Sequence, residues 1–133
     1  MKVDGSCHCG NIRYEAEVDP QTACVCHCQD CQQLTGAAYR IIVRAAIGDF
    51  RLSGGMPSIY VKTAENGTKR AHAFCPVCGS PVYAAAPERP DTVSLRVGAL
   101  TQRADLPPVL QIWCDSAMPW AGDLAAVPRH ARQ

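Results

Sequence analysis

Nine cysteines stand in this chain of 133 residues, and their spacing limits what it can fold into more than any other feature. Cys7 and Cys9 come near the start. Cys24, Cys26, Cys28 and Cys31 follow as a dense group, Cys75 and Cys78 form a pair, and Cys114 stands alone. An odd count fits a complete disulfide framework poorly. Residues 1–11 are polar and Cys-rich with no signal-peptide core, so a cytoplasmic location is expected, where thiols stay reduced. The cysteines are therefore expected to be metal ligands or reactive thiols. All-thiolate donor sets favour zinc over magnesium or calcium.

The rest of the composition narrows the class. A chain of 133 residues suits one domain spanning 1–133, with a core over about residues 5–120 and a mobile tail at residues 129–133. A formal charge of +1 supplies no basic field, so no nucleic-acid partner is expected. No apolar run approaches the ~20 residues of a membrane span, so none is expected to cross a membrane. Net charge near zero and short exposed strands leave homodimerisation open. Ten glycines and ten prolines argue against a helical bundle.

Hydrophobic periodicity points to a mainly β domain. Ile12, Tyr14, Ala16 and Val18 alternate with polar residues, which predicts a strand over residues 12–18 ended by Asp19-Pro20. A short helical turn is expected over residues 29–34, stopped by Gly36. Residues 38–43 and 49–52 read as two further strands. A hairpin is expected from residues 58–62 and Lys69–Phe74 across Glu65-Asn66-Gly67, because Asn-Gly is a strong turn signal. Pro81–Ala85, residues 92–100 and residues 110–113 complete the strands. Trp113 and Trp120 are expected to anchor the tail to the body.

Phe74-Cys75-Pro76-Val77-Cys78-Gly79 is the sharpest local signal. Two residues between thiols let a tight turn aim both sulfurs at one zinc, and Gly79 can take a positive φ. Cys7 and Cys9 supply the two ligands still needed, so Cys7, Cys9, Cys75 and Cys78 are assigned to one structural zinc. His8 in place of one thiolate, or Cys75 and Cys78 joined to the other group, is the alternative. Cys26, Cys28 and Cys31 form a second set. Three thiolates leave the fourth position of a zinc open to water or substrate, as in catalytic sites. Cys24 or His27 would close that site and make it structural, and a metal-free redox cluster is the third reading.

Gly5-Ser6-Cys7-His8-Cys9-Gly10, then Cys26-His27-Cys28-Gln29-Asp30-Cys31, then the Cys75/Cys78 turn resemble the glutathione-dependent formaldehyde-activating enzyme family, which shares its domain with the centromere protein V group. The likeness extends from Gly5 to about Trp120. It implies a zinc-containing β-tent fold of the Mss4-like kind and two zinc ions, one structural on Cys7, Cys9, Cys75 and Cys78 and one at the active site on Cys26, Cys28 and Cys31. It also implies a carbon–sulfur lyase activity joining glutathione and formaldehyde to S-hydroxymethylglutathione, or a similar reaction of a small-molecule thiol or aldehyde. Glutathione carries two carboxylates, for which Arg40, Arg44, Lys62, Lys69, Arg70 and Arg96 are candidate partners. A non-catalytic zinc-stabilised protein-binding module is the competing reading. A cysteine redox enzyme using Cys114 is a third, although Cys114 reads more readily as a buried small residue ending a strand. His72 is expected on the sheet surface or supporting the site, and Tyr39 and Tyr60 in a pocket or the core.

Overall fold

A computed structural model describes residues 1–64 and 66–133. Eight strands form one sheet: β1 (Lys2–Ser6), β2 (Ile12–Cys26), β3 (Arg40–Gly54), β4 (Ser58–Thr63), β5 (Lys69–Phe74), β6 (Pro81–Ala85), β7 (Thr92–Arg96) and β8 (Leu110–Ile112). One α-helix, α1 (Gln29–Thr35), links β2 to β3. The strand order is β1-β2-β3-β7-β6-β5-β4, antiparallel throughout, and β8 pairs in parallel with the far end of β2. The protein is mainly β, as its alternation and turn residues predict. Among the described residues no helix is long and apolar enough to cross a membrane.

The expected stop at Asp19-Pro20 is not a stop. β2 runs through it, with register shifts between Ala16 and Val18 and between Asp19 and Cys24. A bulge is one of the few sheet positions that tolerates proline, and it bends the strand. The first half of β2 is thereby sandwiched between β1 and β3, while Cys24–Cys26 lies between β3 and β8. The predicted strands at residues 38–43 and 49–52 are likewise two ends of one bent strand, β3. β7 stops at Arg96 rather than residue 100, giving way to a 3-10 turn over Val97–Ala99.

The hairpin arms match β4 and β5. Of its turn, Glu65 lies outside the described residues, while Thr68 N–H donates to Asn66 Oδ1 at 3.0 Å. The core comprises Ile12 and Tyr14 from β2, Val43 from β3, Val82 from β6 and Leu95 from β7, closed by Leu100. Each such fully buried aliphatic side chain stabilises the fold by about 1.5–3 kcal/mol. Gly5 faces Tyr14 across the β1–β2 pair, and a Cβ there would sit 2.4 Å from the tyrosine ring, so this position admits only glycine.

The tail does not follow expectation. Trp113 is 65% exposed and Trp120 is 55% exposed, so neither anchors the tail by burial. Trp113 sits at φ 59°, a left-handed conformation costly for a bulky residue. Cys114 is exposed rather than buried at a strand end. Gln32 of α1 holds the start of the tail instead, its side-chain amide donating to Ser116 O at 2.9 Å and to His27 O at 2.7 Å.

Candidate metal and thiol centre

Two cysteine clusters assemble from separate parts of the chain. Cys7 and Cys9 stand on the β1–β2 loop, Cys75 and Cys78 on the β5–β6 loop. In sheet order β3 and β7 lie between these two hairpins, yet the four sulfurs lie within 4.8 Å of one another. Cys7 Sγ is 3.5 Å from Cys9 Sγ, which is 3.7 Å from Cys75 Sγ. Zinc–sulfur bonds of about 2.3 Å put the sulfurs of a tetrahedral site about 3.8 Å apart, so the donor set fits zinc in both chemistry and spacing.

The turn geometry follows from the sequence. Gly79 adopts φ 74° and its N–H donates to Cys75 O at 2.9 Å. Ser80, which no spacing rule pointed to, connects the two loops: its hydroxyl accepts from His8 N–H at 3.1 Å and lies 3.2 Å from Cys78 Sγ. That Ser80 hydrogen bond, with backbone N–H groups, holds the Cys78 thiol down to about 5. His8 is exposed and takes no part in the cluster.

Cys26 at the end of β2, Cys28 and Cys31 form the second cluster, again within 4.8 Å of one another. Cys28 is the N-cap of α1, and its sulfur accepts from Cys31 N–H at 3.3 Å. The Cys31 thiol is a hydrogen-bonding neighbour of Cys26. That bond, the backbone and thiol of Cys28 and the Arg40 charge bring Cys26 down to about 5, while Cys31 is pushed up. The environment thus favours thiolate at Cys26, the nucleophilic and metal-binding form. Cys24 is buried outside the cluster, and burial pushes its thiol up. His27 turns the other way: Nε2 is 2.8 Å from Gln111 Oε1, and the ring stands edge-on to Tyr39. Neither closes the second set.

Cations surround these three thiols. Lys62 on β4 pairs with Asp30 of α1, which accounts for the acid lying between two cysteines of the motif. Arg40 on β3 is the register partner of Cys26 and only 4% exposed, and Arg96 on β7 is 7% exposed. His72 on β5 joins them, its Nδ1 lying 3.5 Å from Arg40 Nη1 and 3.2 Å from Arg96 Nη2. Guanidinium groups only donate, so Nδ1 accepts and the imidazole is neutral. Burial first, then Arg96 and Arg40, push His72 down to about 4. Removing a cation beside a base raises its pKa. In an NMR titration the His72 ring is expected to stay neutral until about pH 4 in the native protein, and to titrate higher in Arg96→Gln; an unmoved midpoint would place Arg96 away from the ring.

A family model of glutathione-dependent formaldehyde-activating enzymes matches residues 2–116. The chain belongs to this family. The match takes in both cysteine clusters, the cations around the second one and β8. No curated protein matches the chain. Among solved structures, a crystal structure of a Rhodobacter sphaeroides protein is 26% identical with a TM-score of 0.62, over 84% of this chain and 99% of that one. Family membership and two thiol clusters able to hold metal support zinc- and thiol-related character for this chain.

Proposed function

We propose that this member of the formaldehyde-activating family is a zinc-dependent carbon–sulfur lyase-like enzyme that adds a small thiol to an aldehyde, with glutathione and formaldehyde as the first pair to test. In this reading the sheet is the zinc β-tent of the Mss4-like kind. Cys7, Cys9, Cys75 and Cys78 hold a structural zinc, and Cys26, Cys28 and Cys31 hold a second one with an open position. The observation that carries the reading is the contrast between a complete four-thiol set and a three-thiol set that Cys24 and His27 do not join, His27 Nε2 being engaged by Gln111.

A zinc bound to three thiolates supplies Lewis acidity toward a carbonyl oxygen and stabilises thiolate sulfur. The chain's own residues supply the rest. Cys28 and Cys31 are only half-buried, which leaves this centre in contact with arriving molecules. Arg40 and Arg96 make the surroundings cationic and favour thiolate over thiol. In the reaction a sulfur–carbon bond forms, the carbonyl π bond breaks, and the thiol proton ends on the carbonyl oxygen, so no oxidant or reductant is consumed.

The addition also proceeds without protein, so the test is a rate above that background. With zinc-loaded protein, exchange NMR on labelled formaldehyde and glutathione is expected to show adduct formation about a hundredfold or more faster than the protein-free mixture, the scale that positioned proton transfer alone supplies. A rate equal to the protein-free one, for glutathione and for smaller thiols alike, would overturn the reading.

A further inference from the structure

Arg40 and Arg96 are buried cations without a counter-ion. Among the described residues the only ion pairs are the N-terminus with Glu17 and Lys62 with Asp30, so no carboxylate answers either guanidinium. The Nε of each is buried with no hydrogen-bond partner. Their one shared contact, His72 Nδ1, is neutral and offers a lone pair but no charge. Burying a charge without a partner is unfavourable, and Arg96 responds in the expected direction, brought down by burial and by Arg40 to about 9.

The second cluster does not cancel these charges. Three thiolates around one dication leave a single negative charge, whereas the guanidiniums bring two positive ones. The other cations nearby do not help: Lys62 is neutralised by Asp30, and Arg70 donates to the uncharged Ser94 hydroxyl at 3.4 Å. At least one positive charge is left over. A cavity of about 410 Å³ opens beside it, where Arg40, Arg96 and His72 meet apolar walls of Leu34, Phe74 and Pro81. Leu34 is on the same short helix as Cys31, three residues on and so on the same helical face. Apolar walls with a few convergent polar groups are what small-molecule sites of this size present.

We propose that Arg40 and Arg96 form a carboxylate-binding subsite, and that the molecule handled at Cys26, Cys28 and Cys31 is a small carboxylic acid held there by its carboxylate. This deepens the proposed function, and only its link to chemistry at Cys26, Cys28 and Cys31 rests on the second zinc being present. Guanidinium forks match a planar carboxylate in a way that a lysine could not. The acid belongs either to the aldehyde, as in an oxo acid, or to the thiol.

Binding is measured on the zinc-loaded wild-type protein by calorimetry with acetate, and by NMR through the His72 ring, which touches both guanidiniums. Acetate is expected to bind and shift the His72 signals, chloride at the same ionic strength to do neither. Arg96→Gln is expected to weaken acetate binding about tenfold or more, in keeping with loss of a charged hydrogen-bonding partner, and Arg96→Lys to recover only part of it. Glyoxylate compared with formaldehyde, and mercaptoacetate compared with mercaptoethanol, identify which reactant carries the acid. No acetate effect on His72, an equal effect of chloride, or unchanged binding in both Arg96 variants would overturn the subsite. Zinc counted by native mass spectrometry on the same samples separates the two ideas. Two zincs with no acetate binding overturns the subsite alone; acetate binding with one zinc supports the subsite and removes the zinc chemistry.

Discussion

Cys75→Ser is expected to yield a chain with no cooperative melting transition at 25 °C and little soluble protein. Serine is a hard, neutral donor and a poor replacement for a thiolate on zinc. Structural zinc contributes about 10–16 kcal/mol of apparent binding free energy at neutral pH, all of it folding free energy when the site exists only in the folded state. A whole domain has a net stability of about 5–15 kcal/mol. Losing the metal thus removes as much as the domain has. The topology sharpens the effect, because this cluster joins two hairpins that are separated by β3 and β7 in the sheet. Cys75 is also fully buried within the apolar core, so the mutant hydroxyl would be desolvated as well. Circular dichroism melts decide the matter, with a chelator-treated wild type expected to behave like the mutant. Cys114→Ser, an exposed thiol outside both clusters, sets the baseline. A Cys75→Ser melt matching that baseline would remove the structural role of the four-thiol set.

What could be read from the sequence divides along a physical line. Local codes were legible: the Cys75/Cys78 turn with its positive-φ glycine, the helix ended by Gly36, and the β4–β5 arms around Asn-Gly all depend on residues close in the chain. The grouping of Cys7 and Cys9 with Cys75 and Cys78 was legible too, because a zinc's demand for four ligands is a long-range rule written in residue types. Asp19-Pro20 misled because a bulge absorbs the missing N–H, and only the β2–β3 register shows the bulge. Trp113 and Trp120 misled because large apolar side chains are usually anchors, whereas here Gln32 does that work through two carbonyls. Arg40 and Arg96 were visible only as two of six scattered cations. Their convergence comes from β3 pairing with β7, with Ile42 opposite Arg96, and from His72 reaching over from β5. No local pattern encodes such a register. The same holds for Ser80, whose link to His8 spans 72 positions.

Cys28→Ser is expected to do the opposite of Cys75→Ser: to abolish the second zinc and the activity while leaving the fold in place. The reason lies in what Cys28 does for the backbone. Its sulfur caps α1 by accepting from Cys31 N–H, and serine is among the best N-cap residues, so the substitution keeps the cap while discarding the soft ligand. α1 buries no residue of its own, so loosening around it does not reach the core. A surface change of about 0.5 kcal/mol corresponds to a melting shift of about 2 °C in a domain of this size. Native mass spectrometry should then count one zinc where the wild type holds two, and thiol–aldehyde exchange should fall to the protein-free rate. A melt as severe as that of Cys75→Ser would make the three-thiol set structural and favour a binding module over an enzyme. Two zincs retained with full activity would strike Cys28 from the ligand set. One zinc with activity intact would locate the chemistry away from this cluster, leaving the Arg40–Arg96 cavity to be explained by a reaction that needs no second metal.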